Sequence, residues 1–232
     1  LAAIITFAPA AAFAVFWIWD IGGEDLARVL AAATAVLALF TVYCTAMIYA
    51  SLRAIPAWAN PWTAPGYLAL SVMSGALLLN LFSAVWPHGA TELVGILTAG
   101  AIVLGHVAKA LYWSSLRRAA PVSSAESATG LGELGQVRLF EAPHTGPNYL
   151  MKEMGFQIAR KHAEKLRWIA IISGFLLPMA LVLIPLIQDS LDAVALAALA
   201  VAFAGIGVAV ERWLFFAEAR HVQMLYYGES AV

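Results

Sequence analysis

The sequence is poor in cysteine and in charge. One cysteine, Cys44, in 232 residues excludes an internal disulfide and any multi-cysteine iron–sulfur or zinc site built by this chain alone. Charged residues make up only 12% of the chain and apolar residues 62%. With a mean hydropathy of +0.83, the composition lies far outside that of soluble domains. There is no Gly-rich phosphate loop, no Ser-His-Asp signature and no nucleic-acid module, which removes hydrolysis, group transfer and nucleic-acid binding from the readings. No internal repeat of paired broken helices appears, as a transporter-like bundle would carry. The chain opens on Leu1 inside an apolar run with no initiating Met and no signal-peptide pattern, and so reads as truncated at its N-terminus.

What is present is length in apolar runs. A helix needs about 20 mostly apolar residues to span a hydrocarbon core, and six windows qualify: 1–19, 29–52, 67–86, 93–113, 166–187 and 193–216. Trp19, Trp86, Trp113 and Trp213 stand at their ends, at the depth of interfacial aromatic belts. Small residues such as Gly95, Gly105, Gly205 and Gly207 within the spans allow close helix packing. The expectation is an all-α membrane protein, a polytopic helical bundle with six transmembrane helices, forming one transmembrane domain over residues 1–232.

Charge sets the expected orientation. When alternate loops are assigned to opposite sides, every Lys and Arg except Arg28 falls on one side, while Arg28 sits among Asp20, Glu24, Asp25, Glu92, Asp189 and Asp192. The positive-inside rule makes the basic side cytoplasmic, in a multi-pass protein of a bacterial inner membrane. The loop after the second window, the 114–165 connection and the C-terminus then share the cytoplasmic face. Within that connection, 121–135 is small, polar and Gly-rich, as flexible segments are. From Asn148 onward, Leu150, Met154, Phe156, Ile158 and Leu166 alternate with Lys152, Arg160, Lys161 and Lys165. This pattern predicts a basic amphipathic helix at the lipid headgroups, which also suits a docking platform for a soluble subunit.

Polar groups at membrane depth are functional hypotheses by default. The stretch 41–66, TVYCTAMIYASLRAIPAWANPWTAPG, carries Tyr43, Tyr49 and Arg53 at a helix exit, where the spacing of four puts Tyr49 and Arg53 on one helix face, with Trp58, Asn60 and Trp62 following in the loop. Phenol, guanidinium and indole groups converging on an apolar surface can hydrogen-bond quinone carbonyls while aromatic rings flank them. An interfacial aromatic belt with a snorkelling Arg accounts for the same residues. Glu211 and Arg212, in the ERWLFF run ending the last span, read either as a proton path or as a helix-end ion pair. His88, His106, His144, His162 and His221 show no metal-ligand spacing, so neither a metal site nor a haem is expected.

The run MIYASLRAIPAWANPWTAPGY at 47–67 and the ERWLFF end with the following His221 resemble the dimethyl sulfoxide reductase anchor subunit family. The resemblance covers essentially the whole chain. It implies a haem-free bundle of about eight helices in the intact family. Two would lie upstream of Leu1, with a His-containing motif and an acidic position tied to quinone binding that no position here matches. It also implies exchange of electrons between a quinone, ubiquinone or menaquinone, and an iron–sulfur partner subunit that serves a molybdopterin catalytic subunit. The molybdenum cofactor and the clusters would reside in those partners alone. In the dimethyl sulfoxide reductase members, the side equivalent to the 53–66 loop faces the periplasm, and the connections are shorter. The basic loops and the long GLGELGQVRLFEAPHTGPNYLMKEMGF connection here look more like the membrane subunit of cytoplasm-facing sulfite dehydrogenase complexes. The expected role is passage of electrons from sulfite oxidation to quinone. The alternatives are an anchor oxidising quinol, or a purely structural docking anchor.

Overall fold

The computed structural model describes residues 1–19, 22–87, 89–119, 122–141, 146, 157–188 and 192–227. The chain folds into α1 (Ala2–Ile18), α2 (Gly23–Ala50), α3 (Thr63–Val85), α4 (Thr91–Arg118), the short α5 (Ala125–Thr129) and α6 (Gln157–Lys161), α7 (Ala163–Ile187) and α8 (Ala193–Ala217). Five of these, α2, α3, α4, α7 and α8, are long and apolar enough to cross a membrane; α1 is shorter, with 17 residues. No strand occurs among the described residues. The protein is an all-α, multi-pass membrane protein, as its apolar windows require.

Helices α3, α4, α7 and α8 form the packed centre. Leu70, Met73 and Leu77 of α3, Ile102 of α4, Phe175 and Val182 of α7, and Ala200 and Ala204 of α8 meet in one apolar core. Between helices in lipid, small residues and hydrogen bonds do what the hydrophobic effect does in water. Thr98 of α4 donates to the Ala76 carbonyl of α3 at 3.0 Å. At the crossing of α7 and α8, a Cβ on Gly207 would stand 2.2 Å from the Cα of Gly174. Only glycine fits that approach. Gly174 lies in a π-helical turn, Ile172–Leu176, that interrupts α7; the extra residue in this turn widens the helix locally.

The α1–α2 hairpin lies at the edge. Helix α1 buries no residue and α2 only Ala27 and Ala46. The hairpin is tied by Thr6, whose hydroxyl donates to the Leu37 carbonyl at 3.2 Å and lies 2.9 Å from the Thr41 hydroxyl. Large apolar side chains such as Phe7, Val36, Leu79 and Leu97 are exposed on the outer surface, which is the arrangement lipid demands. Trp17, Trp19 and Trp86 are exposed at the end carrying the acidic turns, and Trp168 and Trp213 at the opposite end, as two aromatic belts. Trp113 departs from that expectation. It is 4% exposed, and its indole closes over a buried cation instead of lying at a lipid interface.

The sequence and the structure also differ at the exit of α2. The helix stops at Ala50, so Arg53 lies beyond it in a tight turn, not on the helix face of Tyr49. Pro56 and Pro61 lack N–H groups, and helical backbone before a proline is disfavoured. The segment therefore closes on itself through short bonds, Ile55 N to Leu52 O at 3.0 Å, Trp58 N to Ile55 O at 2.9 Å and Thr63 N to Asn60 O at 3.0 Å. The basic amphipathic helix expected from Asn148 falls largely outside the described residues. Its C-terminal part is α6, which breaks at His162 before α7 begins.

Candidate functional site

The folded loop 51–62 lies across the basic end of the bundle. The Trp58 indole is buried there, donates from Nε1 to the Phe215 carbonyl of α8 at 2.9 Å and stacks on the Phe215 ring at 5.7 Å. Tyr49, in the last turn of α2, completes an aromatic cluster, with ring centroids 5.2 Å from Trp58, 5.9 Å from Tyr67, 5.5 Å from Phe215 and 5.6 Å from Phe216. Asn60 holds the loop to α4, its Nδ2 donating to Ser115 Oγ at 2.6 Å while its Oδ1 accepts from the Trp62 N–H at 2.9 Å. Thr63 Oγ1 donates to the Trp58 carbonyl at 2.8 Å and Tyr112 Oη to the Ala57 carbonyl at 3.1 Å. The loop is thus fixed to three helices.

Directly inside this cover is a buried ionic cluster. The Glu211 carboxylate of α8, 1% exposed, accepts from Lys109 of α4 and from Arg212, whose Nε stands 2.5 Å from Oε2 and whose Nη2 stands 2.8 Å from Oε1. Lys109 is likewise 1% exposed, with Nζ 3.9 Å from the Tyr112 ring centroid and 5.2 Å from that of Trp113. The Arg212 guanidinium lies 4.4 Å over Tyr67 of α3 and 4.8 Å over Phe215. Two cations share one carboxylate, so these three side chains carry a net charge of +1, with Lys109 and Glu211 closed off from solvent. Desolvation makes such a group costly unless every lone pair is used, and the aromatic faces supply the remaining stabilisation.

Arg212 is the open member, its side chain 24% exposed against 1% for Glu211. Below it, an apolar groove of about 180 Å³ runs between α3 and α8, lined by Ser74, Leu77, Leu78, Val201, Ala204, Gly205 and Val208. Val201, Gly205 and Val208 share a helical stripe with Arg212, as Ser74 does with Tyr67. The groove and the guanidinium therefore belong to one seam.

Of the residues singled out in the sequence, Tyr49, Trp58, Trp62, Glu211 and Arg212 come together at this end. Asn60 serves the loop's attachment. Tyr43 is 43% exposed on the outside of α2, and Arg53 is exposed in the turn; neither reaches the cluster. Lys109 and Tyr67 were missed. Lys109 counted as one of the basic-side residues that orient the chain, yet a Lys inside the 93–113 apolar window signals a charge at membrane depth. Tyr67 looked like the first residue of a span.

Outside the spans, Glu218 sits just past the end of α8, paired with Arg167 of α7. Burial holds its carboxyl above the ordinary value, with Arg167 acting against the shift. Its Oε2 is buried without a hydrogen-bond partner. Arg160 ties α6 down by donating to the carbonyls of Ala217 at 2.8 Å and Ala219 at 2.9 Å.

Comparison with known proteins agrees with this architecture. No solved structure is a significant match. A sulfite dehydrogenase subunit of Allochromatium vinosum is 32% identical over 210 residues, which is 89% of this chain and 62% of that protein. The chain therefore spans less than two thirds of that relative's length. The family model described as DMSO reductase anchor subunit (DmsC) matches residues 2–218, and on that match the chain belongs to the DMSO reductase anchor subunit family.

Proposed function

We propose that this anchor subunit is also quinone-reactive, passing electrons from an iron–sulfur subunit on the cytoplasmic face of the inner membrane to ubiquinone or menaquinone. The iron–sulfur subunit would in turn serve a molybdopterin catalytic subunit. In this reading, residues 1–232 form one transmembrane domain whose 114–165 connection, 51–62 loop and C-terminus face the cytoplasm. The observation that carries the proposal is the net positive cluster of Lys109, Glu211 and Arg212, roofed by Tyr49 and Trp58 and opening through Arg212 onto the α3–α8 seam.

A quinone supplies a two-electron, two-proton acceptor, and the residues present fit one. Arg212 offers guanidinium donors to a carbonyl oxygen, Tyr67 and Phe215 offer ring faces, and the groove along Ser74, Gly205 and Val208 is apolar enough for an isoprenoid tail. Negative charge developing on a carbonyl oxygen is favoured next to a preorganised positive group in a dry site. The loop over the cluster brings an aqueous docking surface close to the seam, with Arg53, Arg117 and Arg118 exposed on it.

Sulfite oxidation is proposed because the Allochromatium vinosum relative is named a sulfite dehydrogenase subunit, and because the basic residues favour the cytoplasmic orientation. The experiment is to irradiate the native complex with an azido-quinone. Label is expected on α3 and α8 near Tyr67 and Arg212 and on the 51–62 loop. Label confined to the acidic end would refute the site and leave a structural anchor. A reporter that is active only outside the cytoplasm, fused to Val232, is expected to stay silent. High activity would reverse the orientation and favour quinol oxidation.

A further inference from the structure

We propose that Lys109 and Glu211 form the proton-transfer pair of this subunit, with Glu211 the donor facing the acceptor site, Lys109 its recharging group, and Glu218 the entry from the basic end. The inference rests on the quinone-reactive reading and extends it from electrons to protons.

A purely structural ion pair would require one cation for one carboxylate. Glu211 already has a complete partner in Arg212, which binds both of its oxygens. Lys109 is therefore surplus for charge balance, yet it is fully buried and aimed at Oε1 of the same carboxylate. Because a guanidinium keeps its proton, Lys109 is the cation in the cluster able to give one up. Once that proton has passed through Glu211 to the acceptor, the three side chains have gone from +1 to neutral and the Glu211–Arg212 pair is restored.

The route inward begins at Glu218. It lies two helical turns beyond Glu211 on the same face of α8, roughly 10 Å along the axis, and its side chain is 13% exposed. Lys109 and Glu211 both act electrostatically on it. Its unpartnered Oε2 is a buried acceptor on the path between the surface and the cluster. The charged and titratable groups facing the pair are Arg212 on α8, Tyr112 on α4 and Tyr67 on α3, with Glu218 and Arg167 at the helix end. Tyr112 is engaged by the Ala57 carbonyl, so it acts as a wall and not as a carrier.

Reduction of one quinone to its quinol takes two electrons, from the iron–sulfur partner, and two protons, from the basic side. For each proton, an Nζ–H bond of Lys109 breaks as an Oε1–H bond of Glu211 forms, giving a neutral amine and a neutral acid. The Glu211 O–H then breaks in favour of the acceptor oxygen and the carboxylate is restored. A proton drawn in from the basic end, where Glu218 is the entry, restores the ammonium of Lys109.

The test uses the purified complex with reduced benzyl viologen as electron source and decylubiquinone as acceptor. The double variant K109M/E211Q removes one charge of each sign and keeps a hydrogen-bond acceptor for Arg212. It is expected to retain heat stability and azido-quinone labelling while its quinone reduction falls at least 30-fold. Time-resolved infrared spectra after reduction should show a transient protonated-carboxyl band in the wild type that is absent in E211Q. A double variant that keeps more than half of the wild-type rate would show the pair to be a fastener and overturn the proposal. Should that variant fail to assemble, E211D keeps the charge and moves the carboxylate back by one methylene. A three- to ten-fold slowing of the assembled E211D complex supports the relay, and an unchanged rate and spectrum refute it. A wild-type complex that accepts viologen electrons but never reduces decylubiquinone would refute instead the quinone-reactive reading beneath it.

Discussion

The two ends of the bundle use the same side-chain chemistry under opposite conditions. At the acidic end, Arg28 pairs with Glu24 at 2.5 Å and with Asp25 at 3.6 Å, one turn apart on α2, with side chains 72%, 83% and 101% exposed. At the basic end, Lys109, Glu211 and Arg212 join two helices with Lys109 and Glu211 excluded from solvent. Pairs open to water contribute at most about 1 kcal/mol, and often nothing measurable. A buried charge that loses its partner costs several times more. The acidic end therefore tolerates change, whereas the basic end is built so that a single substitution leaves a charge stranded in an apolar site.

The largest expected effect is Glu211→Leu, which strands both Lys109 and Arg212. A destabilisation of about 3–5 kcal/mol is expected, seen as early heat aggregation of the detergent-solubilised complex or as failure to assemble; a stability equal to wild type would dissolve the contrast. Next is Trp58→Ala. It opens a cavity under the loop and removes the Nε1 bond to the Phe215 carbonyl, with an expected cost of about 3 kcal/mol and faster proteolysis of the 51–62 loop. Asn60→Ala removes the link to Ser115 and should lower stability by about 1 kcal/mol, leaving the aromatic cluster in place. The smallest effect is Arg28→Ala, within about 0.5 kcal/mol of wild type in the same heat assay. If Arg28→Ala and Glu211→Leu shift stability by similar amounts, burial is not what separates the two ends.

The seam offers a different kind of check. Gly207→Val places side-chain atoms against the Gly174 backbone, where even a Cβ stands 2.2 Å from Cα. Overpacking of this kind costs roughly 1–3 kcal/mol, and here it has no flexible neighbour to absorb it. Separation of α7 from α8 would be read as a loss of assembled complex, although every charged residue is unchanged.

Much of the fold was legible because the membrane imposes it. Long apolar runs must be helices, since lipid satisfies no backbone hydrogen bond, and the placement of Arg28 apart from the other basic residues divides the loops into two ends. The aromatic loop was legible as an oddity: prolines, tryptophans and an Asn where a helix ends. Its contacts were not. Trp58 and Trp62 differ little in the sequence, yet Trp58 is buried against Phe215 while Trp62 only flanks the cluster.

Composition and local pattern were enough to establish a multi-pass helical membrane protein with one basic and one acidic end, and the 47–67 and 211–216 motifs pointed to an anchor family. These are properties of neighbouring residues, readable along the chain. The meeting of Lys109 on α4 with Glu211 on α8, the covering of a cation by Trp113, and the opening of Arg212 onto Tyr67 of α3 emerged with the packed bundle. Each of these joins residues from helices far apart in the chain or depends on which side of a helix faces a neighbour, and helix packing alone fixes that.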